Sequence, residues 1–344
     1  MKIKNALLYS YQIARSLQFT LQQLGLPAVE SLASRKNEFR RFKDSSRNQE
    51  LFLAMLKLLK EDSDRIAEGV YPIEVLKPES PKEHWIRYPK ILFDGYFRWR
   101  RKQNTKIKEF TQEAQEFLQE MPEYFRRNFH FQTDGYLSKE SAELYEHQVE
   151  ILFSGTADAM RRLLIPLMKK HNVEGDGANF LEVGAGTGRL TRFISLSFPK
   201  VKITATDLSH SYLKKAQENL KEFPRIDFLQ AAGEALPFKN ESFDVAYSCF
   251  LFHELPLEVR QQVLAESYRV LKPGGVIGFV DSLQKHDKEA KANLLELFPQ
   301  EFHEPFFKNY SLNPMEDLLV EAGFEILDSQ AGLFSKAVLA RKKA

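Results

Sequence analysis

A glycine-rich turn between an apolar run and an amphipathic run constrains this chain more than any other feature. Residues 180–190 read FLEVGAGTGRL. The apolar start of this stretch predicts a short buried strand, and the spacing of Leu190, Phe193 and Ile194 predicts a helix that begins within or just after the glycines. The turn therefore stands at a helix N-terminus, where backbone N–H groups are free to bind a ligand.

The glycines of this turn suit a ligand that approaches the backbone closely. Gly184, Gly186 and Gly188 have no Cβ, so the chain can adopt left-handed dihedrals there and bring its N–H groups near a ligand. A turn that only joins a strand to a helix could use the same residues. The next apolar run, VKITAT, decides between the two, because it predicts a second buried strand that ends in Asp207, 21 positions after Gly186. An acid at this place in a βαβ unit can accept both hydrogen bonds of a ribose diol.

The residues around the glycines separate two classes of nucleotide site. Nicotinamide and flavin enzymes show GxGxxG, whereas this chain has Glu182, one residue and then GxGxG, followed by Arg189. The negative charge of Glu182 would repel a pyrophosphate. The stretch resembles the first motif of the class I S-adenosylmethionine-dependent methyltransferases. Five further segments continue the resemblance: AAGEALPF at 231–238, FDVAYSCFLFHELP at 243–256, LKPGGVIGFVD at 271–281, LLVEAGF at 318–324, and the run 335–341.

The resemblance covers residues 140–344 and implies the fold. It implies an α/β, Rossmann-like, seven-stranded class I methyltransferase sheet that is mostly parallel, with the last strand antiparallel. Residues 1–137 carry helical periodicity and few strand patterns, so we expect an all-helical lid or substrate domain there, followed by the cofactor-binding domain at 138–344. Within the helical half, the proline-rich segment 71–89 predicts an ordered loop, and the aromatic residues after it are too dense for a solvated spacer.

The resemblance also implies S-adenosyl-L-methionine as the cofactor and places its binding on eleven residues. These are Glu182, Gly184, Ala185, Gly186, Gly188, Asp207, Leu208, Ala232, Gly233, Glu234 and Ser248. The glycine loop would hold the aminoacyl end, with Glu182 near the ammonium group. Asp207 would accept the ribose hydroxyls, and Leu208 would press on the adenine.

One of these positions departs from the family pattern. Many members bind the exocyclic amine of the adenine with an acid where this chain has Ala232. That contact would pass to the backbone around Gly233 or to Glu234. Ser248, at the end of the fourth strand, would face the methionine end.

Five residues are candidates for the catalytic side of the site. His253 follows the fourth strand and could act as a general base, because an imidazole titrates near neutrality; it could equally cap or pack the next helix. Tyr145 stands in a Leu-Tyr-acid context that in the resembled family touches the methionine end. Asn128, His130 and Tyr136 lie in the segment NFHFQTDGY, which either closes over the cofactor or forms a capped turn.

Composition excludes several classes of protein. Forty-nine basic and 47 acidic residues give a formal charge of +2, too balanced for a nucleic-acid footprint. The single cysteine, Cys249, excludes a disulfide framework and a cysteine-clustered zinc site, and we identify no other set of metal ligands. No secretory signal or transmembrane segment is evident, so we expect a cytoplasmic protein. We also consider a homodimer formed through the helical half.

Three functions are compatible with these observations. The leading one is a methyltransferase that acts on a small-molecule acceptor and releases S-adenosylhomocysteine. The second keeps the cofactor but lets its own amine attack its γ-carbon, which gives azetidine-2-carboxylate and methylthioadenosine. The third is a non-catalytic binding protein that uses its helical half as a partner surface. The intact glycine loop, Glu182 and Asp207 argue against the third function.

Overall fold

The chain consists of a helical N-terminal region followed by an α/β region. The computed structural model describes residues 2–25, 45–77, 81–103, 109–173, 175, 177–287 and 304–343. The helices within these ranges are α1 (Lys2–Gln23), α2 (Ser45–Glu68), α3 (Pro81–Gln103), α4 (Gln112–Leu118), α5 (Lys139–Leu152), α6 (Ala157–Arg161), α7 (Leu164–Lys170), α8 (Arg189–Ser197), α9 (His210–Asn219), α10 (Leu257–Val270), α11 (Phe307–Leu312) and α12 (Met315–Glu321). Short 3₁₀ turns are formed by Ile73–Leu76, Glu123–Phe125, Phe129–Phe131 and Phe252–Glu254.

Seven strands form one sheet. They are β1 (Asn179–Val183), β2 (Lys202–Asp207), β3 (Ile226–Gln230), β4 (Phe243–Cys249), β5 (Leu271–Ser282), β6 (Phe324–Gly332) and β7 (Ser335–Lys342), in the order β3-β2-β1-β4-β5-β7-β6. Strands β1 to β5 pair in parallel, and β7 runs antiparallel to both β5 and β6. The predicted sheet is thereby confirmed. The strand order reverses between β1 and β4, so ligands are expected at the carboxyl ends of these strands.

Alternate residues of the central strands pack on opposite faces of the sheet. Phe180 on β1 and Tyr247 on β4 belong to the core cluster on one face. Leu181 and Ala246 belong to the cluster on the other face. This alternation follows from the two-residue repeat of a strand, and it decides which side chains can face the pocket at the strand ends.

A buried ion pair fastens the helical region to the sheet region. The guanidinium of Arg162, between α6 and α7, donates from Nε and Nη2 to the two carboxylate oxygens of Asp62 on α2, at 2.9 and 2.6 Å. Both side chains are almost completely buried. The boundary between residues 137 and 138 stays a prediction, because α5 packs on α1 and α3 on one side and on α9 on the other.

The expectations for the proline-rich segment and for the aromatic residues near it were wrong in part. The proline-rich segment is not a loop throughout: α3 begins at Pro81, a position where proline fits the first turn, and it continues through Pro89. Of the aromatic residues expected to pack in the interior, Trp85 and Phe93 on this helix are 81% and 68% exposed.

No helix among the described residues is long and apolar enough to span a bilayer.

Candidate active site

The loop between β1 and α8 has the left-handed backbone that the glycine pattern predicts. Gly184, Gly186 and Gly188 have φ angles of +72°, +56° and +83°. A Cβ on Gly188 would lie 2.5 Å from a side-chain carbon of Leu220, whereas nothing lies within 4 Å of the corresponding position at Gly186. Gly188 is thus required for packing, and Gly186 leaves space on the pocket side.

Asp207 lies at the end of β2 and is tied to this loop. Its carboxylate accepts hydrogen bonds from the backbone N–H groups of Gly186 at 2.7 Å and Ser209 at 2.8 Å. Removal from bulk water raises the pKa of Asp207 to about 6, although these N–H groups favour the ionised form. The remaining lone pairs of the carboxylate are available to a ligand.

A pocket opens at the carboxyl ends of β1, β2 and β4. Ten of the sequence-predicted residues line it: Tyr136, Tyr145, Glu182, Gly184, Ala185, Gly186, Asp207, Leu208, Gly233 and Glu234. Gly188, Ala232, Ser248 and Asn128 do not line it. The first strand, the glycine loop and the end of the second strand therefore meet at one pocket.

Glu182 is buried on the floor of this pocket. It accepts a hydrogen bond from the hydroxyl of Thr191 on α8. Burial raises the pKa of Glu182 to about 8, so the acid is mainly protonated at neutral pH. A cation placed beside it would favour the ionised form.

The opposite wall contains two charged residues that the sequence did not single out. Glu146 on α5 and Arg161 on α6 both line the pocket and form an ion pair with 3.0 Å between Nη2 and Oε2. The hydroxyl of Thr187 in the glycine loop donates to Glu146. These two residues can be recognised as part of the site only because they lie on helix faces buried against the glycine loop. That position is visible in the tertiary structure and not in the sequence.

Residues 109–137, which we call the lid, cover the pocket from the helical side. Tyr124, Phe125 and Phe129 of the lid contribute to the pocket lining. The hydroxyl of Tyr124 donates to Glu234 Oε1 at 2.6 Å. The lid is further attached to the start of α9, where the hydroxyl of Ser211 donates to the carbonyl of Leu137 at 3.0 Å.

Asn128 serves the lid's own structure. Its side-chain oxygen accepts from the N–H of Glu109 at 3.0 Å, and its amide donates to the carbonyls of Glu109 and Gln132 at 2.8 and 3.1 Å. All the hydrogen bonds seen at this amide are thus made within the lid. The interpretation of Asn128 as a substrate group is corrected to a residue that shapes the loop.

A second pocket adjoins the first. It is lined by His130, Gln132, Tyr145, Gln148, Val149, Leu152, Phe153, Phe250, His253, Glu254 and Ser282. Tyr145, Phe250 and Glu254 line both pockets. We call the first the cofactor pocket and the second the adjoining pocket.

The chain matches proteins of known family in the region that builds this site. Residues 180–275 match the family model described as a methyltransferase domain. A malonyl-[acyl-carrier protein] O-methyltransferase from Paenibacillus sp. is 30% identical over 190 residues, which are 51% of this chain and 67% of that protein. The chain belongs to the S-adenosylmethionine-dependent methyltransferases.

Other relatives match over different lengths. A ubiquinone/menaquinone biosynthesis C-methyltransferase from Bartonella bacilliformis is 34% identical over 139 residues, and the match covers 39% of this methyltransferase but only 52% of the relative. The solved structure of a SAM dependent methyltransferase from Aquifex aeolicus is 20% identical, with a TM-score of 0.42, over 57% of this chain and 97% of that one.

The cofactor pocket of the methyltransferase has a donor set that fits S-adenosylmethionine. A loop without Cβ atoms at Gly184 and Gly186 allows close approach of the aminoacyl group. Glu182 offers a carboxylate to an ammonium group, and Arg161 offers a guanidinium to a carboxylate. Asp207 offers oxygens to a diol.

His253 of the methyltransferase lies in the adjoining pocket, with its ring held by Asp281. The distance from His253 Nδ1 to Asp281 Oδ1 is 2.5 Å. Burial alone would lower the pKa of His253, but the charge of Asp281 and the hydrogen bond to it outweigh burial and raise the pKa to about 9. The carboxylate of Asp281 thus favours the protonated ring, and the general-base role of His253 stays a prediction.

Ser248 points to the wrong face of β4 for its predicted role. Tyr247 packs in the core cluster on the Glu182 side of the sheet, and Cys249 packs against the same cluster. Cys249 lines the cofactor pocket, and Ser248 does not. The prediction missed the pocket-facing residue by one position, which in a strand means the opposite face.

Proposed function

We propose that the protein transfers the methyl group of S-adenosylmethionine to a small-molecule acceptor bound in the adjoining pocket. The observation that carries this proposal is the shared wall of the two pockets, formed by Tyr145, Phe250 and Glu254. A methyl donor and an acceptor must lie within a near-attack distance of each other, and two pockets that share a wall meet this requirement.

The lining of the adjoining pocket supports an acceptor of mixed polarity. Val149, Leu152 and Phe153 provide an apolar side, and Gln132 and Gln148 provide a polar side. The amide of Gln132 donates to Gln148 Oε1 at 2.7 Å, which orients both side chains. Ligand pockets commonly combine a mainly apolar lining with a few positioned polar groups.

The chain's own contribution to the reaction is binding, alignment and exclusion of water. The cofactor supplies an electrophilic methyl group on a sulfonium, so no covalent intermediate with the protein is needed. Asp207 fixes the ribose, the glycine loop fixes the aminoacyl end, and the lid closes the pocket against solvent. The aromatic ring of Tyr145 separates the two pockets and helps to align the acceptor with the methyl group.

Several broader features support the same proposal. The balanced formal charge of +2 favours a small-molecule acceptor over a nucleic acid. The single cysteine is in keeping with a reducing compartment such as the cytoplasm. Exposed leucines on α1, among them Leu17 and Leu21 at 57% and 69% exposure, provide a surface for homodimerisation.

Product analysis tests the proposal. The protein is incubated with S-adenosylmethionine carrying a deuterated methyl group, with and without a pooled metabolite extract, and products are identified by mass spectrometry. We expect S-adenosylhomocysteine and a deuteromethylated small molecule only when the extract is present. Methylthioadenosine formed without extract would replace methyl transfer by intramolecular cyclisation, and binding without any turnover would favour the non-catalytic alternative.

A further inference from the structure

Three side chains from distant parts of the chain meet at the adjoining pocket. His130 lies in the lid, Glu254 lies in the turn after β4, and Glu304 lies just before α11. His130 Nε2 is 3.1 Å from Glu254 Oε1, and His130 Nδ1 is 3.0 Å from Glu304 Oε1. One ligand atom from each residue lies within 4.8 Å of the other two.

Of the four carboxylate oxygens in this cluster, only Glu254 Oε1 makes hydrogen bonds among the described residues. The side chain of Glu304 is completely buried, and that of Glu254 is 9% exposed. Within the described ranges, neither oxygen of Glu304 accepts a hydrogen bond, and Glu254 Oε2 accepts none. Buried charges in proteins are otherwise paired, hydrogen-bonded or bound to a metal.

The neighbouring imidazoles do not supply hydrogen bonds to Glu304. His253, 3.8 Å from Glu254 Oε1, is already held by Asp281 at 2.5 Å. Three carboxylates therefore cluster around two imidazoles, and neither oxygen of Glu304 has a hydrogen-bond donor among the described residues. Tyr136 donates a neutral hydroxyl to Glu254 Oε1 at 2.6 Å, which adds no positive charge. A bound cation would give these buried oxygens the partner that they lack.

We propose that His130, Glu254 and Glu304 bind one divalent first-row metal ion, of the type represented by Mn²⁺ or Zn²⁺. One imidazole nitrogen and two carboxylate oxygens form a mixed set that suits these ions. Three protein ligands leave coordination positions for water or substrate. Nitrogen and oxygen ligands lie about 2.0–2.2 Å from such a metal. One nitrogen of His130 would therefore bind the ion, and the three ligand atoms, which lie within 4.8 Å of one another, need to draw closer together.

The position of the site defines its role, which rests on the proposed function. His130 and Glu254 line the adjoining pocket, and Glu254 also lines the cofactor pocket. An ion held there would lie beside the acceptor and would bind an oxygen donor such as a hydroxyl, whose pKa it would lower. The hydroxyl gives its proton to water, its oxygen forms the bond to the methyl carbon, and the electron pair of the broken carbon–sulfur bond stays on sulfur.

Metal titration of the chelator-treated, full-length protein tests the site. Mn²⁺ binding is followed by the loss of the free-ion paramagnetic resonance signal and Zn²⁺ binding by calorimetry, both without cofactor or acceptor. We expect one ion per chain. Glu304→Gln keeps the shape of the side chain and should weaken binding at least 100-fold. His130→Asn removes the imidazole and should weaken binding to the same extent. Asparagine is chosen because it tolerates the left-handed backbone of His130, with φ at +54°, so the loop should keep its fold.

Glu316→Gln is the matched control. Glu316 belongs to a second cluster, with His286 and Asp287, whose carboxylates are paired with Lys336 at 2.8 Å. This variant should bind metal as the wild type does. Wild-type protein that binds S-adenosylmethionine but neither metal would overturn the proposal, as would unchanged metal affinity in Glu304→Gln and His130→Asn. If one variant does not fold, the wild-type titration and the other variant decide. Because metal and cofactor are titrated separately, failure of the metal site leaves the methyl-transfer proposal standing.

Discussion

The carboxylate of Asp207 accepts a hydrogen bond of 2.7 Å from the backbone N–H of Gly186. This bond joins the end of β2 to the glycine loop after β1, so the group proposed to bind ribose and the loop proposed to bind the aminoacyl end are positioned together. A change at either residue is therefore expected to affect cofactor binding as a whole.

The protonation of Asp207 should make cofactor binding dependent on pH. Its pKa is raised to about 6, so the carboxylate becomes protonated as the pH falls through 6 and loses its ability to accept two ribose hydrogen bonds. The ratio of the wild-type association constant to that of Asp207→Asn should not change above pH 7. This ratio should be about tenfold smaller at pH 5 than at pH 7. Calorimetric titrations between pH 5 and 7 measure this. A constant ratio between the two proteins across that range would contradict it.

Cofactor binding should release a proton from Glu182. The pKa of this buried acid is raised to about 8, so it is mostly protonated at pH 7, and an ammonium group beside it would favour ionisation. The binding enthalpy of the wild type at pH 7 should therefore vary with the ionisation enthalpy of the buffer and indicate the release of up to about one proton. The binding enthalpy of Glu182→Gln should depend less on the buffer, because the proton from Glu182 is no longer released. Equal proton release in the two proteins would rule out this role for Glu182.

The contact between Tyr124 and Glu234 should hold the lid closed. Their hydrogen bond is 2.6 Å long, and a bond to a charged acceptor contributes about 1.5–3 kcal/mol. Tyr124→Phe should raise the Kd for S-adenosylmethionine about tenfold, mainly through faster dissociation in stopped-flow experiments. Tyr11→Phe is the control, because the hydroxyl of Tyr11 makes a 3.4 Å contact with the carbonyl of Leu76 and, among the described residues, none with the lid. Unchanged or tighter binding by Tyr124→Phe would show that Glu234 must leave Tyr124 to reach the adenine.

Gly188 should be more sensitive to substitution than another left-handed glycine. Alanine at Gly188, with φ at +83°, would be strained and would also contact Leu220 at 2.5 Å. Gly274 has a similar φ of +74° with open space around it, so Gly274→Ala should lose only about 1 kcal/mol of unfolding free energy. Gly188→Ala should lose at least about 2 kcal/mol, as measured by urea denaturation. Equal losses in the two variants would mean that packing against Leu220 is not limiting.

Local patterns made the strands and the cofactor loop predictable. The positions of the glycines, Glu182 and Asp207 at the pocket could be predicted because they follow from the backbone of one βαβ unit and its regular spacing. Other local features are less regular: the helical stretch before β1 is divided into two short helices, α6 and α7. Pro166 accounts for the break, since it fits only the first turn of α7 and cannot continue a helix from α6.

The acceptor side of the site depends on long-range contacts that no local pattern encodes. His130 and Glu254 are 124 positions apart in the chain, yet they lie 3.1 Å apart in the fold. Sequence inspection found no metal ligands for this reason. The choice between Ser248 and Cys249 required knowing which face of β4 the pocket occupies, and a shift of one residue reverses that face.

Titration of the purified protein with S-adenosylmethionine tests the central claim most directly. The account predicts one cofactor per chain for the wild type, at least tenfold weaker binding in Asp207→Ala, and wild-type affinity in Asp227→Ala, whose exposed acid lies on the neighbouring strand β3. Absence of binding to the wild type, or equal affinity in Asp207→Ala and Asp227→Ala, would contradict the assignment of this pocket to the cofactor.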